Sequence, residues 1–194
     1  MRLFVAVDLD DPRREAVTRA AEAIRRLLNR SCGERAVRWI ARDHLHLTIR
    51  FLGEVDEALG SRIRESLAPP LGAEPFDLAL DGAGVFPPRG APRVLWIGVT
   101  RGAAGLDRTV EAVDARLRRA GVPGAARPFS PHLTIGRFRE RARVGRGDAL
   151  REALAAVQVA SGDMRVMSVV LYDSRLSPSG PRYEPLGRTP LAAA

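Results

Sequence analysis

Cys32 is the only cysteine among 194 residues. That excludes an internal disulfide and argues against a cysteine-based metal cluster. With Ser31 and Gly33 beside it and no histidine near it in sequence, the thiol reads as a bystander. Aromatic residues are few, at 5%, and nowhere gather into the stacking motif of a nucleic-acid-binding sheet. No apolar run approaches the roughly 20 residues needed to span a bilayer. The opening stretch Met1-Arg2-Leu3-Phe4-Val5-Ala6-Val7-Asp8 reaches an acid before a signal-type apolar core builds up. The expectation is therefore a cytoplasmic protein with no membrane contact. Lysine is absent, so all 31 basic side chains are arginine, and the net charge is +8. Such an excess of cations favours polyanionic partners, although it also suits a solvated surface.

The sequence contains the same order of elements twice. Leu3 to Leu9 reads as a strand. Asp11-Pro12 then starts a helix, with the acid as N-cap and proline in the first turn. Apolar residues from Ala16 to Leu28 recur at helical spacing, and Ser31-Cys32-Gly33 ends the run. Val37 to Ile40 and Leu45 to Leu52 read as strands, Val55 to Leu67 as a helix stopped by Pro69-Pro70, and Phe76 to Phe86 as a strand interrupted near Gly82 and Gly84. The order begins again with a strand at Val94 to Val99, a helix at Leu106 to Leu117, a strand at Leu133 to Ile135 and a helix at Ala149 to Ala156. Val157-Gln158-Val159 is expected to begin the last strand pair, Met164 to Tyr172 to be its strongest strand, and Tyr183 to Leu186 to pair beside it. His46 and His132 lie 86 residues apart, and Leu3 and Leu95 lie 92 apart. Two copies at this period imply a duplication, not a solenoid. The expected fold is α+β: duplicated β-α-β-α-β-β units, largely antiparallel sheets, and a cleft between two lobes of one domain spanning 1–194.

The chemistry lies in two matching strings, His44-Leu45-His46-Leu47-Thr48-Ile49-Arg50-Phe51-Leu52-Gly53 and Ser130-Pro131-His132-Leu133-Thr134-Ile135-Gly136-Arg137-Phe138. Alternate residues of a strand share a face. His46 and Thr48 therefore point together while Leu47 and Ile49 pack behind them, and His132 and Thr134 repeat the arrangement. If the lobes face each other, two imidazoles and two hydroxyls converge. One neutral imidazole can deprotonate an attacking water and one imidazolium can protonate a leaving ribose oxygen, each contributing about 10²–10⁴-fold. Threonine hydroxyls and an arginine can hold the phosphate oxygens. Histidine handles both proton transfers, so neither metal nor cofactor is expected. His44 shares strand parity with His46 but has no counterpart, since Ser130 stands at the matching place; it reads as a polar residue at the cleft rim or the strand start. Arg50 falls on the His46 face by strict alternation and Arg137 does not, unless a bulge at Gly136 re-aims it.

These motifs resemble the two-histidine phosphoesterase superfamily, specifically the bacterial RNA 2′,3′-cyclic phosphodiesterases once called 2′-5′ RNA ligases. The resemblance runs through Arg2 to Asp8, Val37-Arg38-Trp39, His46 to Gly53, Val94 to Gly98, Pro128 to His132 and Leu171 to Ser177. It implies a bilobal α+β fold and metal-free hydrolysis of 2′,3′-cyclic phosphate ends of RNA, or of small nucleotides, to 2′-phosphates. His46 would be the proton donor and His132 the acceptor, with Thr48, Thr134 and Arg137 at the phosphate. His44 departs from the asparagine that relatives often carry. A monomer is the expected assembly, and 2′-5′ ligation a side activity. Two rival readings remain: a zinc hydrolase using His44, His46 and His132, and a non-catalytic RNA-binding module.

Overall fold

A computed structural model describes residues 1–140, 147–177 and 180–192; the side chains of Ser31, Asp148, Leu176 and Ser177 lie outside that description. The chain runs β1 (Arg2–Asp8), α1 (Asp11–Cys32), β2 (Val37–Trp39), a 3-10 turn (Arg42–His44), β3 (His46–Glu54), α2 (Glu57–Leu67), β4 (Leu71–Gly72) and β5 (Phe76–Phe86). It continues through β6 (Val94–Arg101), α3 (Ala103–Arg119), β7 (His132–Phe138), α4 (Gly147–Ala155), β8 (Asp163–Val166), β9 (Ser168–Ser177) and β10 (Gly180–Ala192). The strands form two five-stranded, mostly antiparallel sheets, ordered β3-β1-β9-β10-β4 and β2-β7-β6-β5-β8. The α+β architecture stands as expected. No helix among the described residues is long and apolar enough to cross a membrane.

The two sequence halves do not coincide with the two sheets. β1 and β3 of the first half receive β9 and β10 from the second, while β6 and β7 receive β5 and β2 from the first. The apolar stretch from Met164 to Tyr172 is accordingly not one strand. Met164 and Val166 are buried in one sheet, Met167 is 55% exposed, and Val169 to Leu171 are buried in the other. A strand-like run hides this crossover, because its burial pattern changes at Met167 without any glycine or proline to mark the break.

Val157-Gln158-Val159 forms no strand either. Val159 N–H donates to Asp81 Oδ1, and Ser161 Oγ bonds the Leu80 backbone on both its N–H and its C=O side. Side chains thus satisfy this segment where a ladder would otherwise do so. At the start of α1 the N-cap is Asp10, whose carboxylate accepts from Arg13 N–H; Asp11 and Pro12 fill the first turn. The interruption expected near Gly82 is a bulge: the β5–β6 register slips between Asp81 and Ala83, with Gly82 at φ 68°.

One apolar cluster joins the back faces of both sheets. Leu3, Val5, Val7, Leu47 and Ile49 enter it from one, and Leu78, Leu80, Leu95, Ile97, Leu133 and Ile135 from the other. β3 and β7 approach each other where the sheets meet, so the two motif strands flank the junction and present their opposite faces to it.

Candidate active site

Each histidine opens its strand, and each is held the same way. His46 Nδ1 lies 2.8 Å from His44 O, and His132 Nδ1 lies 2.7 Å from Ser130 O. A carbonyl can only accept, so Nδ1 carries the hydrogen and donates in both the neutral and the charged ring. The exchangeable proton is left to Nε2 in both cases. For His46, Nε2 stands 3.2 Å from Thr48 Oγ1, placing the hydroxyl on the reactive nitrogen's side as strand parity anticipated. Thr134 shares the half-buried state of Thr48 and the same strand face as its histidine.

The two motif strands carry matching bulges. On β3 the register passes from Val5↔Arg50 to Ala6↔Thr48, leaving Ile49 as the extra residue. On β7 it passes from Leu95↔Gly136 to Trp96↔Thr134, leaving Ile135. Each bulge reverses parity beyond it. Arg137 therefore turns to the His132 face, against strict alternation, because the bulge falls beside Gly136. Gly136 permits the close packing this requires, since a Cβ there would come within 2.6 Å of Val37 Cγ1. The same reversal overturns the reading of Arg50. It points to the helix side, where Nε lies 3.1 Å from Asp114 Oδ1 and Nη2 donates to Pro123 O at 2.6 Å.

Aromatic rings pack around each histidine. Phe4 stacks on His46 at 4.9 Å and on Tyr172 at 5.2 Å, and Tyr183 meets His46 edge-on at 5.4 Å. Phe86 meets His132 edge-on at 5.0 Å and leans on Trp96. The sequence contains no aromatic cluster, yet the fold assembles one, because the rings come from β1, β9 and β10 on one side and from β5 and β6 on the other. His44 belongs to the 3-10 turn and not to the strand; its ring packs against Tyr183 at 4.7 Å. Among the described residues no three metal-ligating side chains converge, so the three-histidine zinc site is not assembled.

Electrostatically the His46 side is built on Asp8, its cross-strand partner. The Asp8 carboxylate accepts from Tyr172 OH at 2.8 Å and from Arg188 Nη2 at 3.0 Å. Burial holds the His46 pKa below the usual 6.5, while the His44 carbonyl and the Asp8 charge pull it back up, and His44 pushes it down. Burial and Asp8 together push the Tyr172 hydroxyl up to about 12. Burial also raises Tyr183, against the charges of Arg137 and Arg2. Arg137 on one sheet is thus within electrostatic reach of a ring that touches His46 on the other.

Asp8, Tyr172, Tyr183 and the two anchoring carbonyls were not apparent as site components in the sequence. Only the register of β1 against β3 reveals Asp8, since it lies 38 residues before His46. Replacing it with asparagine removes the charge that raises the His46 pKa and leaves Arg188 unneutralised nearby. The Asp8→Asn ring is expected to titrate at lower pH than the wild-type ring. An NMR titration of the His46 ring reads this directly, and an unmoved or raised midpoint would contradict it.

Comparison with known proteins gives one family. The model of the 2′-5′ RNA ligase superfamily matches residues 11–177. An RNA 2′,3′-cyclic phosphodiesterase of Archaeoglobus fulgidus is 37% identical over 96% of this chain and 98% of its own length. A Methanothermobacter thermautotrophicus protein of the same name is 35% identical over 94% and 95%. Among solved structures, a Thermus thermophilus protein superposes with TM-score 0.72 at 30% identity, covering 98% of both chains. Escherichia coli LigT complexed with 3′-AMP superposes with TM-score 0.70 at 28% identity, covering 98% of this chain and 97% of its own.

Proposed function

Since the chain belongs to the 2′-5′ RNA ligase superfamily, we propose that it is an RNA 2′,3′-cyclic phosphodiesterase acting in the cytoplasm on cyclic-phosphate RNA ends. The observation that carries this reading is the matched pair of imidazoles, each tethered through Nδ1 to the carbonyl two residues back, with Nε2 left for proton transfer. Chemically equivalent Nε2 atoms on facing strands suit a reaction in which one proton is taken and another given.

In the proposed step, His132 Nε2 accepts a proton from water as the water oxygen attacks phosphorus. His46, as imidazolium, gives its Nε2 proton to the ribose 3′ oxygen as the P–O3′ bond breaks. The product carries a 2′-phosphate and a 3′-hydroxyl, and solvent returns the proton from His132 to His46. Thr48 and Thr134 donate to the non-bridging oxygens, and Arg137 stabilises the charge that accumulates on them. The depressed His46 pKa makes its imidazolium the stronger acid toward the departing alkoxide, and the anionic substrate favours the charged ring. This set of residues completes the reaction with its own protons and needs no added cofactor.

The test is incubation of the protein, in a metal chelator, with an oligonucleotide ending in a 2′,3′-cyclic phosphate. The expected product is a 2′-phosphate end formed at an undiminished rate. A 3′-phosphate product would overturn the regiochemistry, and activity lost in chelator but restored by zinc would overturn the metal-free mechanism.

A further inference from the structure

Arg38 stands on β2 directly opposite Arg137 on β7. Paired residues share a face of the sheet, and the bulge at Ile135 has turned Arg137 to the His132 face. Arg38 therefore points to the same side, while Val37 before it is buried in the core behind. Both arginines are exposed. No ion pair or hydrogen bond holds either side chain among the described residues. Like charges directly opposite in an antiparallel pair repel, with Cβ atoms about 4.5–5.5 Å apart. On the other flank of Arg137 the row continues with Val94 of β6 and Phe86 of β5, so the row itself offers no carboxylate.

The opposite end of the same sheet is built differently. There Arg101 bonds Asp163 and lies 3.7 Å from Asp77, and Arg165 bonds Asp77 at 3.3 Å, so each arginine has its acid. A bare arginine pair in a sheet whose other end is neutralised calls for an anion from outside. The row is also within reach of the chemistry. Phe86 touches the His132 ring, and the Arg137 charge acts on Tyr183, whose ring meets His46. Two planar guanidinia side by side suit a phosphate, whose oxygens can be taken from two directions. Hydrolysis raises the demand for them. A cyclic phosphodiester carries one negative charge, whereas the 2′-phosphate product approaches two. A second guanidinium thus gains most as the reaction proceeds, which is where binding energy accelerates it.

We propose that Arg38 is a second phosphate-binding residue of the site, its guanidinium closing with that of Arg137 on one oxyanion. The assignment rests on the phosphodiesterase reading and adds to it a contact outside the two His-Leu-Thr-Ile motifs. A cyclic-phosphate RNA end presents two such oxyanions, the reacting group and the phosphodiester one nucleotide upstream. Substrate length tells them apart.

The test compares Arg38→Gln with wild type on a mononucleoside 2′,3′-cyclic phosphate and on an oligonucleotide with the same end. Titration of the resting protein with inorganic phosphate accompanies it. The variant's kcat/KM should fall about 10- to 100-fold, the loss of one hydrogen bond to a charged group, and phosphate should bind it more weakly. A fall on both substrates assigns Arg38 to the reacting phosphate. A fall on the oligonucleotide alone, with a log–log salt slope flatter by about 0.7, assigns it to the upstream phosphodiester. Arg38→Lys should recover part of the loss, since it keeps the charge without the fork. In low-salt buffer Arg38→Gln should unfold no lower than wild type, because it relieves a repulsion. Arg165→Gln removes the same net charge and should move none of these readings. Unchanged kinetics on both substrates with an unchanged phosphate Kd would overturn the assignment. So would a kinetic loss accompanied by a lower Tm in low salt, which marks a structural role. Wild-type protein that binds phosphate through Arg38 yet turns over neither substrate would remove the phosphodiesterase reading and keep the paired-guanidinium site.

Discussion

His46→Ala and His132→Ala are each expected to lower single-turnover hydrolysis of a cyclic-phosphate oligonucleotide by about 10²–10⁴-fold. The double variant should be little slower than either single one, because the two rings serve one transition state. Both side chains are only half-buried, so the variants should remain folded and still bind the oligonucleotide. A substrate with sulfur in place of the 3′ bridging oxygen separates the roles, because a thiolate leaves without needing a proton. His46→Ala should be largely rescued on that substrate and His132→Ala should not. The opposite pattern would exchange donor and acceptor; intact turnover in both variants on the natural ester would end the phosphodiesterase reading.

The second large effect separates two arginines that look interchangeable in the sequence. Arg137→Ala should cost about 10²–10³-fold in kcat, the usual loss when one donor to a developing oxyanion is removed. Arg50→Ala should leave kcat nearly intact and instead lower stability. Its pair with Asp114 is only 11% and 17% exposed, between the surface and buried regimes, so a loss of about 1–3 kcal/mol is expected. For a chain of this size that corresponds to a Tm lower by roughly 2–12 °C. Comparing kcat with thermal unfolding for the two variants checks the assignment. If Arg50→Ala proved the slower enzyme and the more stable protein, the bulge argument would be wrong.

These two cases also mark what a sequence can reveal. Strand parity placed His46 with Thr48 and His132 with Thr134, because the four residues lie within an unbroken alternation. The same rule misplaced Arg50, because a bulge adds a residue without leaving a signature: Ile49 is an ordinary β-branched strand residue. Gly136 did carry a signal, and the bulge beside it was foreseeable. Elements with local causes were legible to within a few residues, such as α1 behind Asp10-Asp11-Pro12 and α2 behind Asp56. Features that depend on pairing between distant strands were not. Asp8 opposite His46, the rings of Phe4, Tyr172 and Tyr183, and the division of Met164 to Tyr172 between two sheets all arise from register. Hydrophobic periodicity carries no information on register.

The crossover at Met167 sets a timetable for the molecule. Leu3 pairs with Asp173, and Ala6 with Val170, so the strand bearing Asp8 is flanked on only one side until β9 has been synthesised. Before then a nascent chain already holds both His-Leu-Thr-Ile segments, yet the floor beneath His46 lacks Tyr172, Tyr183 and Arg188. Chains stalled before residue 168 are thus expected to be catalytically silent, and opening of cyclic-phosphate ends should begin only once the last two strands have docked.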